Sequence, residues 1–356
     1  MTSDASSSSL PRICVLGSLN MDLVSYVPHH PEPGETLTSN SFAVSPGGKG
    51  ANQAVACAKL SRSRPPTGST SGDDLPPHST GATAEVAMVG AVGADTYGTL
   101  LQSNLRAHGV DVSGVAAPST LKTGIAIIIV DEPTGQNRIV LSPEANHLGV
   151  SPADFDRVIA PRVAVGRRPD LLIMQLEVPL PTVLLALETA RRQGVSVLLN
   201  PAPAVPLPED AYAGLAHLVV NETEASILSG LPVAKLDTEE GCAEVAGWFV
   251  GRGVGAVVIT LGGRGVYFRD GNKKEEEKDG GGKEGLVPAD KVREVVDTTA
   301  AGDTFVGQYA LEVVSGNGGS SKFDVEAAVR KANRAAARTV ERKGAQDSIP
   351  WRDELV

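Results

Sequence analysis

Cysteine, aromatic residues and positive charge are all scarce in this chain of 356 residues. The three cysteines (Cys14, Cys57 and Cys242) show no CxxC or Cys/His spacing that suggests zinc, so a reducing, intracellular compartment is favoured. Aromatic residues make up 4% of the chain, which argues against stacking platforms for single-stranded nucleic acid. The net charge of −10 has the wrong sign for coating DNA or an anionic membrane, although a small anion can still bind at local dipoles.

A targeting segment and a long apolar run are also missing. Residues 1–11 are rich in serine and lack the apolar region of a secretory signal. The apolar run 125–130 is far too short to span a bilayer. We therefore expect a protein of the cytoplasm, with the nucleus as a second compartment, and neither a membrane nor a nucleic acid as its partner.

Two low-complexity segments interrupt a composition that is otherwise ordinary for a globular protein, with 41% hydrophobic and 21% charged residues. Residues 62–84 are rich in Pro, Ser, Gly and Thr, and residues 271–285 combine runs of like charge with glycine. Neither can bury enough apolar surface to order itself, so both are predicted to be flexible insertions, and residues 1–11 a flexible tail. The remainder, within 12–356, suffices for one large domain and a small one.

Between the insertions, apolar strands alternate with helical patterns, which predicts an α/β fold. Strands joined by helices favour a mostly parallel central sheet with helices on both faces. The segments 20–45, 123–130 and 137–141 indicate additional strands outside this sheet, the last two as a hairpin. The predicted strands of the main sheet are 12–19, 86–92, 171–175, 195–200, 218–221 and 256–261, and the predicted helices are 47–59, 98–108, 180–193, 222–229, 241–252 and 325–342.

Polar residues follow several of these strands, and a mostly parallel sheet binds ligands beyond the carboxyl ends of its strands. The residues concerned are Asn20, Asp22, Glu177, Asn200, Asn221 and the segment 260–265.

The segment 297–309 (DTTAAGDTFVGQY) is the most informative one. Small residues at Ala300, Ala301 and Gly302 precede Asp303, and a helical pattern follows. A phosphate can closely approach the N–H groups of a helix start that carries no bulky side chains. Taken alone, Asp303 is either a helix cap, which is favoured, or a base held beside a phosphate.

A glycine loop, GGKGAN, begins at Gly47. It is not a P-loop, because Lys49 is followed by Gly50 instead of Ser or Thr. It predicts a loop with exposed backbone in which Lys49 and Asn52 donate hydrogen bonds; the alternative is a solvated turn that caps a helix. Asn20 and Asp22 likewise either clamp neighbouring hydroxyls from one side or form a simple turn.

Three further segments each have two interpretations. Residues 221–224 (NETE) place a carboxylate for Mg²⁺ or form a capping box. Residues 260–265 (TLGGRG) form a glycine turn that a nucleotide can approach, but the GxGxxG fingerprint is missing, which disfavours a dinucleotide site. Residues 343–348 (KGAQDS) form a turn whose carbonyls can bind a cation, or Gly344 is a C-cap.

The motifs together identify a family. GSLNMD, PGGKGANQAVA, MQLE, NPAPA, NETE, TLGGRG, DTTAAGDTF and RKGAQDSIPW follow in this order over about residues 12–352. The chain resembles the PfkB family of carbohydrate kinases. The AAGD form, with Ala300, is similar to the members that phosphorylate ribose, not fructose or adenosine. Val306 departs from the family pattern, since many relatives carry Asn there.

The resemblance implies transfer of the γ-phosphoryl group of ATP to O5 of D-ribose, with Asp303 as general base and Ala300, Ala301 and Gly302 as an anion hole. It implies a Mg²⁺ organised by Glu224, an activating K⁺, a β-sheet lid built from about 20–45 and 123–141, and a homodimer formed through that lid. The implied ribose site is Asn20, Asp22, Gly48, Lys49, Asn52, Glu177 and Asp303; the ATP site is Asn221, Thr260, Gly262, Gly265, Gly302 and Asn333; the K⁺ site is Asp297, Thr299, Thr339, Arg342, Gly344 and Ser348.

Overall fold

The computed structural model describes residues 10–65, 81–149, 168–271, 283–317 and 323–355. Its strands are β1 Arg12–Leu16, β2 Asn20–Val27, β3 Ser41–Gly47, β4 Glu85–Ala91, β5 Asp111–Ala116, β6 Gly124–Asp131, β7 Asn137–Ser142, β8 Leu171–Met174, β9 Ser196–Leu199, β10 His217–Asn221, β11 Ala256–Thr260, β12 Val266–Asp270 and β13 Glu284–Val287. Its helices are α1 Lys49–Leu60, α2 Thr96–Ala107, α3 Ala145–Leu148, α4 Leu180–Gln193, α5 Glu222–Ser229, α6 Glu239–Val250, α7 Ala301–Asn317 and α8 Val325–Thr339.

The main sheet has the strand order β13-β12-β11-β10-β9-β8-β1-β4-β5. Every neighbouring pair from β11 through β5 is parallel, whereas β12 and β13 are antiparallel additions at one edge. The prediction of a mostly parallel central sheet is confirmed.

Helices cover both faces of this sheet, also as predicted. In β1, Ile13 and Val15 pack into the apolar cluster that contains residues of α1, α2, α7 and α8. Cys14 and Leu16 point the other way, into the cluster with α4, α5 and α6. Because both faces of the strand are covered, its sequence is a continuous apolar run without polar alternation.

A second sheet has the order β3-β2-β6-β7. The pair β2–β6 is parallel, while β2–β3 and β6–β7 are antiparallel, so the hairpin prediction for 123–130 and 137–141 is confirmed. Leu23 pairs with Val44 and Ile127, and Ile127 pairs with Val140, which places these four on one face. Val140 is 62% exposed and nearby Phe42 59%, so this face presents apolar side chains to solvent.

Some elements differ from the sequence predictions. β5, β12 and β13 were not predicted: β5 and β13 each contain a glycine, and the start of β13 lies inside the segment 271–285. The strand predicted over 12–19 ends at Leu16. Helix α8 ends at Thr339, with Val340 at its C-cap, so the C-cap interpretation of Gly344 (φ +92°) is wrong.

The two ends of the segment 66–80 are held together; we call this contact the neck. Arg352 Nη1 donates to Ser61 O (2.9 Å) and Gly81 O (3.0 Å), and Thr83 N donates to Ser61 O (3.0 Å). Residues 66–80, 272–282 and 1–9 lie outside the described residues, so their flexibility stays a prediction. Among the described helices, none has the length and apolar character to cross a membrane.

Candidate active site

Asp303 lies in the first turn of α7, which begins at Ala301 after Ala300 turns the chain with φ +60°. Its side chain is 7% exposed. Asn52 Nδ2 donates to Asp303 Oδ2 (3.0 Å) and Gln53 Nε2 donates to Oδ1 (2.9 Å). The helix-cap interpretation is therefore wrong: the carboxylate is the third residue of the helix, buried, and held by two side-chain amides.

The glycine loop before α1 is packed closely against the end of β1. A Cβ on Gly48 (φ +87°) would lie 2.7 Å from Asn20 N, and one on Gly50 would lie 2.6 Å from Gly17 C. Only glycine permits this approach. The loop is buried, so the solvated-turn interpretation is wrong, and the packing carries Lys49 and Asn52 to the carboxyl end of the sheet.

Glu177 is fixed against this loop. Its Oε2 accepts from Ser18 Oγ (2.5 Å) and from Lys49 N (3.0 Å). Glu177 follows β8 and Ser18 follows β1, and these strands are neighbours. Adjacent parallel strands thus deliver a carboxylate and a hydroxyl to one point, as polar residues after parallel strands predict.

Asn20 and Asp22 lie in β2, not in a turn, and both are buried. Asn20 Oδ1 accepts from Asn146 Nδ2 (2.7 Å). The Asp22 carboxylate lies against Gly47, where a Cβ would come within 2.1 Å of Oδ2. Burial, together with the nearby charges of Glu177 and Asp303, raises the pKa of Asp22 to about 7.

Lys49 is the cation facing these carboxylates. Burial opposes its charge, but Asp303, Glu177 and Glu224 outweigh that effect and the pKa of Lys49 is raised. We call Asn20, Asp22, Lys49, Asn52, Glu177 and Asp303 the buried polar cluster. It is suited to hydrogen-bond a ligand that carries several hydroxyl groups.

An open cavity of about 390 Å³ lies on the other side of the α7 N-terminus. Five of the six residues that the resemblance assigns to ATP line it: Thr260, Gly262, Gly265, Gly302 and Asn333. Its other lining residues are Gly263, Val266, Ala289, Asp290, Val292, Val295, Thr298, Ala301, Phe305, Ala336, Ala337 and Val340. The N-terminus of α7, whose residues Ala301 and Gly302 line this cavity, carries a partial positive charge that favours binding of an anion.

Asn221, the sixth of these residues, caps α5. Glu224 N donates to Asn221 Oδ1 (2.8 Å) and Asn221 N donates to Glu224 Oε2 (2.9 Å), so the capping box is present. Burial raises the pKa of Glu224, with Asp303 adding to the rise, while the backbone of Asn221 and the charge of Lys49 oppose it. Glu224 is therefore both a capping residue and electrostatically coupled to the buried polar cluster.

The segments 297–300 and 339–348 meet at Asp297. Its Oδ1 accepts from Thr299 N and its Oδ2 from Gly344 N, both at 2.9 Å. Burial raises the pKa of Asp297, but the hydrogen bonds with Thr299 and Gly344 outweigh it, so the net shift is downward.

The other residues implied at this loop lie nearby in sequence but have separate side-chain partners. Thr339 Oγ1 donates to Thr304 Oγ1 (2.9 Å), which joins α8 to α7. Ser348 Oγ donates to Ala345 O (2.7 Å), and Arg342 contacts Glu354 (3.2 Å). Arg342 can therefore serve a cation through its backbone only.

Sequence reasoning missed three buried glutamines around Asp303. Gln53 contacts Asp303 directly and also donates to Asn200 Oδ1 (2.9 Å). Gln175 Nε2 donates to Gln53 Oε1 (2.5 Å), and Gln346 Nε2 donates to Asn52 Oδ1 (3.0 Å). A polar residue at position 53 on the buried side of an apolar helix could have indicated Gln53. No local pattern indicates Gln346, because it lies far from α1 in sequence.

Comparisons with known proteins identify the family. The family model described as "pfkB family carbohydrate kinase" matches residues 10–352. A ribokinase of Schizosaccharomyces pombe is 40% identical over 343 residues, covering 95% of this chain and 94% of that protein. A deoxyribokinase of Salmonella typhi is 34% identical over 339 residues, covering 95% of each chain.

A solved structure, the Arabidopsis thaliana ribokinase complexed with ribose and ATP, matches with a TM-score of 0.77 and 27% identity, covering 98% of each chain. With a family match over almost the whole length, relatives at 34% and 40% identity and the same architecture, this chain belongs to the pfkB family of carbohydrate kinases and is a phosphotransferase.

Proposed function

We propose that this enzyme transfers the γ-phosphoryl group of ATP to O5 of D-ribose. One observation carries the proposal: Ala301 and Gly302 line the open cavity, while Asp303, the next residue, belongs to the buried polar cluster. A nucleotide in the cavity and a sugar in the cluster would therefore meet at one helix start. The ribokinase of Schizosaccharomyces pombe and the Arabidopsis ribokinase complexed with ribose and ATP support this choice of substrates.

The buried polar cluster would bind the sugar. Carboxylates and amides such as Asp22 and Asn20 can each bind adjacent hydroxyls. Asp303 would accept the proton of the attacking hydroxyl as that oxygen bonds to phosphorus. Two amide donors hold its carboxylate in one orientation, and positioning of this kind supplies much of the rate enhancement in phosphoryl transfer.

The α7 N-terminus would stabilise the transferring group. The first N–H groups of a helix have no partner within the helix, and those of Gly302 and Asp303 belong to this set. Ala301 N makes only a long bond to Thr298 O (3.3 Å). Charge that develops on the phosphoryl oxygens would meet these donors and the helix dipole.

Two cations fit the residues present. Mg²⁺ takes few protein carboxylates and several waters, so Glu224, charge-coupled to Lys49 and Asp303, can organise it beside the phosphates, where it would neutralise charge. K⁺ prefers oxygen ligands, and the Asp297 segment with the carbonyls of 339–348 is an all-oxygen set. A K⁺ there would fix the loop that carries the anion hole and add positive charge.

The second sheet would act as a lid and as the surface for a second copy of this chain. Its inner face carries Asp22 to the cluster, and closure over the sugar would exclude water. Its outer face exposes Phe42, Val44, Ile127 and Val140, which supports a homodimer. Light scattering would test this: we expect a dimer that Val44→Glu converts to a monomer. Cytoplasmic and nuclear localisation stay predictions.

A substrate panel tests the proposed function. D-ribose, 2-deoxyribose, fructose and adenosine would each be assayed with ATP and Mg²⁺, in K⁺ and in Na⁺. We expect the highest kcat/KM with ribose in K⁺. If kcat/KM for fructose or adenosine equals or exceeds that for ribose, the ribose assignment fails. If kcat/KM is highest for 2-deoxyribose, the enzyme is a deoxyribokinase like the Salmonella relative.

The same panel separates catalysis from mere sugar binding. A non-catalytic sugar-binding protein with a kinase fold would show ribose binding in calorimetry but would release no ADP. The buried, doubly hydrogen-bonded Asp303 favours the catalytic alternative.

A further inference from the structure

A chain of side-chain amides runs from α2 to Asp303. Asn104 Nδ2 donates to Gln346 Oε1 (2.6 Å), and Gln346 Nε2 donates to Asn52 Oδ1 (3.0 Å). Asn52 Nδ2 then donates to Asp303 Oδ2 (3.0 Å). Residues from α2, from the turn after α8 and from α1 are thus linked in series, and the last of them, Asn52, contacts the carboxylate.

The direction of every donor in this chain follows from the carboxylate. An ionised carboxylate only accepts, so Asn52 must turn its NH₂ group toward Asp303. The Asn52 oxygen then faces Gln346, which must donate, and the Gln346 oxygen faces Asn104, which must donate in turn. No member can flip without placing two oxygens or two NH₂ groups against each other.

Gln346 is also fixed through its main chain. Lys59 Nζ, which is buried, donates to Gln346 O (3.0 Å) and lies 5.5 Å from the centroid of the Trp351 ring. Burial lowers the pKa of Lys59 to about 8, with Asp347 opposing this shift. Gln346 therefore sits in the turn after α8 with both its amide and its carbonyl bonded to buried partners.

We propose that Gln346 is a positioning residue for phosphoryl transfer, because it fixes the Asn52 amide that orients the Asp303 carboxylate. The proposal rests on the proposed function, in which Asp303 is the base. Gln346 does not itself reach the sugar; it acts through Asn52. Gln346 also connects the turn 343–348, where the K⁺ site is proposed, to Asp303 through Asn52. A shift of that turn would therefore change the orientation of the Asp303 carboxylate.

Loss of the Gln346 amide has a specific consequence. Asn52 loses the donor to its side-chain oxygen, so its amide no longer holds the Asp303 carboxylate in one orientation. Other charged groups that face Asp303 stay in place: Lys49 from the glycine loop, Asp22 from β2, and Glu224 from α5.

The test compares Gln346→Leu with Gln308→Leu as the matched control. Gln308 is similarly buried (8% against 4% exposed), but its amide donates to Glu312, away from the site. For Gln346→Leu we expect kcat to fall about tenfold or more, with the KM for ATP changed less than about twofold. Gln308→Leu should keep the wild-type kcat and the wild-type KM for ATP.

A second variant decides the matter if Gln346→Leu folds poorly in thermal melts. Asn104→Leu leaves Gln346 in place and removes only the donor to its side-chain oxygen, so we expect the same fall in kcat at smaller size. Wild-type kcat in a folded variant would overturn the positioning role. A wild-type enzyme that does not phosphorylate ribose would instead overturn the proposed function, so the two failures are distinguishable.

Discussion

Glycines on the two sides of the α7 N-terminus differ in the space around them. Beside the buried polar cluster, a Cβ on Gly48 or Gly50 would meet backbone atoms within 2.7 Å. Beside the open cavity, Gly263 and Gly302 have no atom within 4 Å of the Cβ position. The first pair lets segments of the chain approach one another, whereas the second leaves room for something outside the chain.

The polar groups differ in the same way. In the buried polar cluster they are bonded to one another before any ligand arrives, as Asp303 is to Asn52. The open cavity is lined largely by small and apolar residues such as Val295 and Ala336, and offers mainly backbone to an anion. Under the proposed function, discrimination between sugars would depend on fixed side chains, while nucleotide binding would depend on shape and main chain.

The largest effect is expected from Asp303→Asn. It removes the proposed base but keeps the size of the side chain, so kcat should fall about 10³-fold or more while ribose still binds. Steady-state assays with ribose and calorimetric binding would measure both. Unchanged turnover would contradict the base assignment.

Next comes Gly50→Ala, which places a Cβ against the backbone of Gly17 and Ser18. The closely packed loop has no room to adjust, so we expect a loss of about 3 kcal/mol in the free energy of unfolding. Urea denaturation would measure it. A variant as stable as the wild type would show that the packed side of the comparison is more pliable than its geometry indicates.

Asp22→Asn tests what the negative charge of the Asp22 carboxylate contributes to ribose binding and to stability. Loss of a charged hydrogen-bond partner should raise the KM for ribose about 10- to 100-fold. The folded pKa of Asp22, about 7, lies above the ordinary aspartate value of 3.8, so its stabilising contribution is full below about pH 4 and is lost as the pH rises through 7.

The variant should therefore be more stable than the wild type at pH 8, keep a smaller advantage at pH 5, and lose it below about pH 4. Thermal melts at these pH values would show it. A pH-independent difference would contradict the raised pKa.

The smallest effect is expected from Gly302→Ala. The added Cβ meets nothing in the folded chain, and alanine in a helix is more favourable than glycine by about 1 kcal/mol, so stability should hold or rise. The methyl group would occupy the approach of the phosphate, and kcat/KM for ATP should fall about tenfold. Gly263→Ala, with equal space but away from the helix start, is the matched control.

The sequence predicted six of the nine described strands of the main sheet, because doubly covered strands such as β1 and β8 are continuous apolar runs. It could not separate the two interpretations of Asp303 or of Asn20 and Asp22, because a cap, a turn and a buried site use the same residue types. Packing separated them: the glycine loop buries the carboxylates, and their partners come from other elements.

The amide chain to Asp303 could not be predicted at all. Asn104, Gln346 and Asn52 carry no local pattern, and their contact depends on how α1, α2 and the turn after α8 pack. The edge strands β12 and β13 were not predicted because they adjoin the charged, glycine-rich segment 271–285: β12 ends directly before it at Asp270, and β13 begins inside it at Glu284.

The neck gives this protein a ready attachment point for engineering. Arg352 and Thr83 hold the residues on either side of the segment 66–80 beside each other, so any sequence placed between positions 65 and 81 has only to close a loop. The free energy of loop closure depends weakly on length, and each doubling costs only about 0.6 kcal/mol. We therefore expect the neck to persist when a fluorescent domain or affinity tag is inserted within 66–80, provided Ser61, Gly81 and Arg352 are kept.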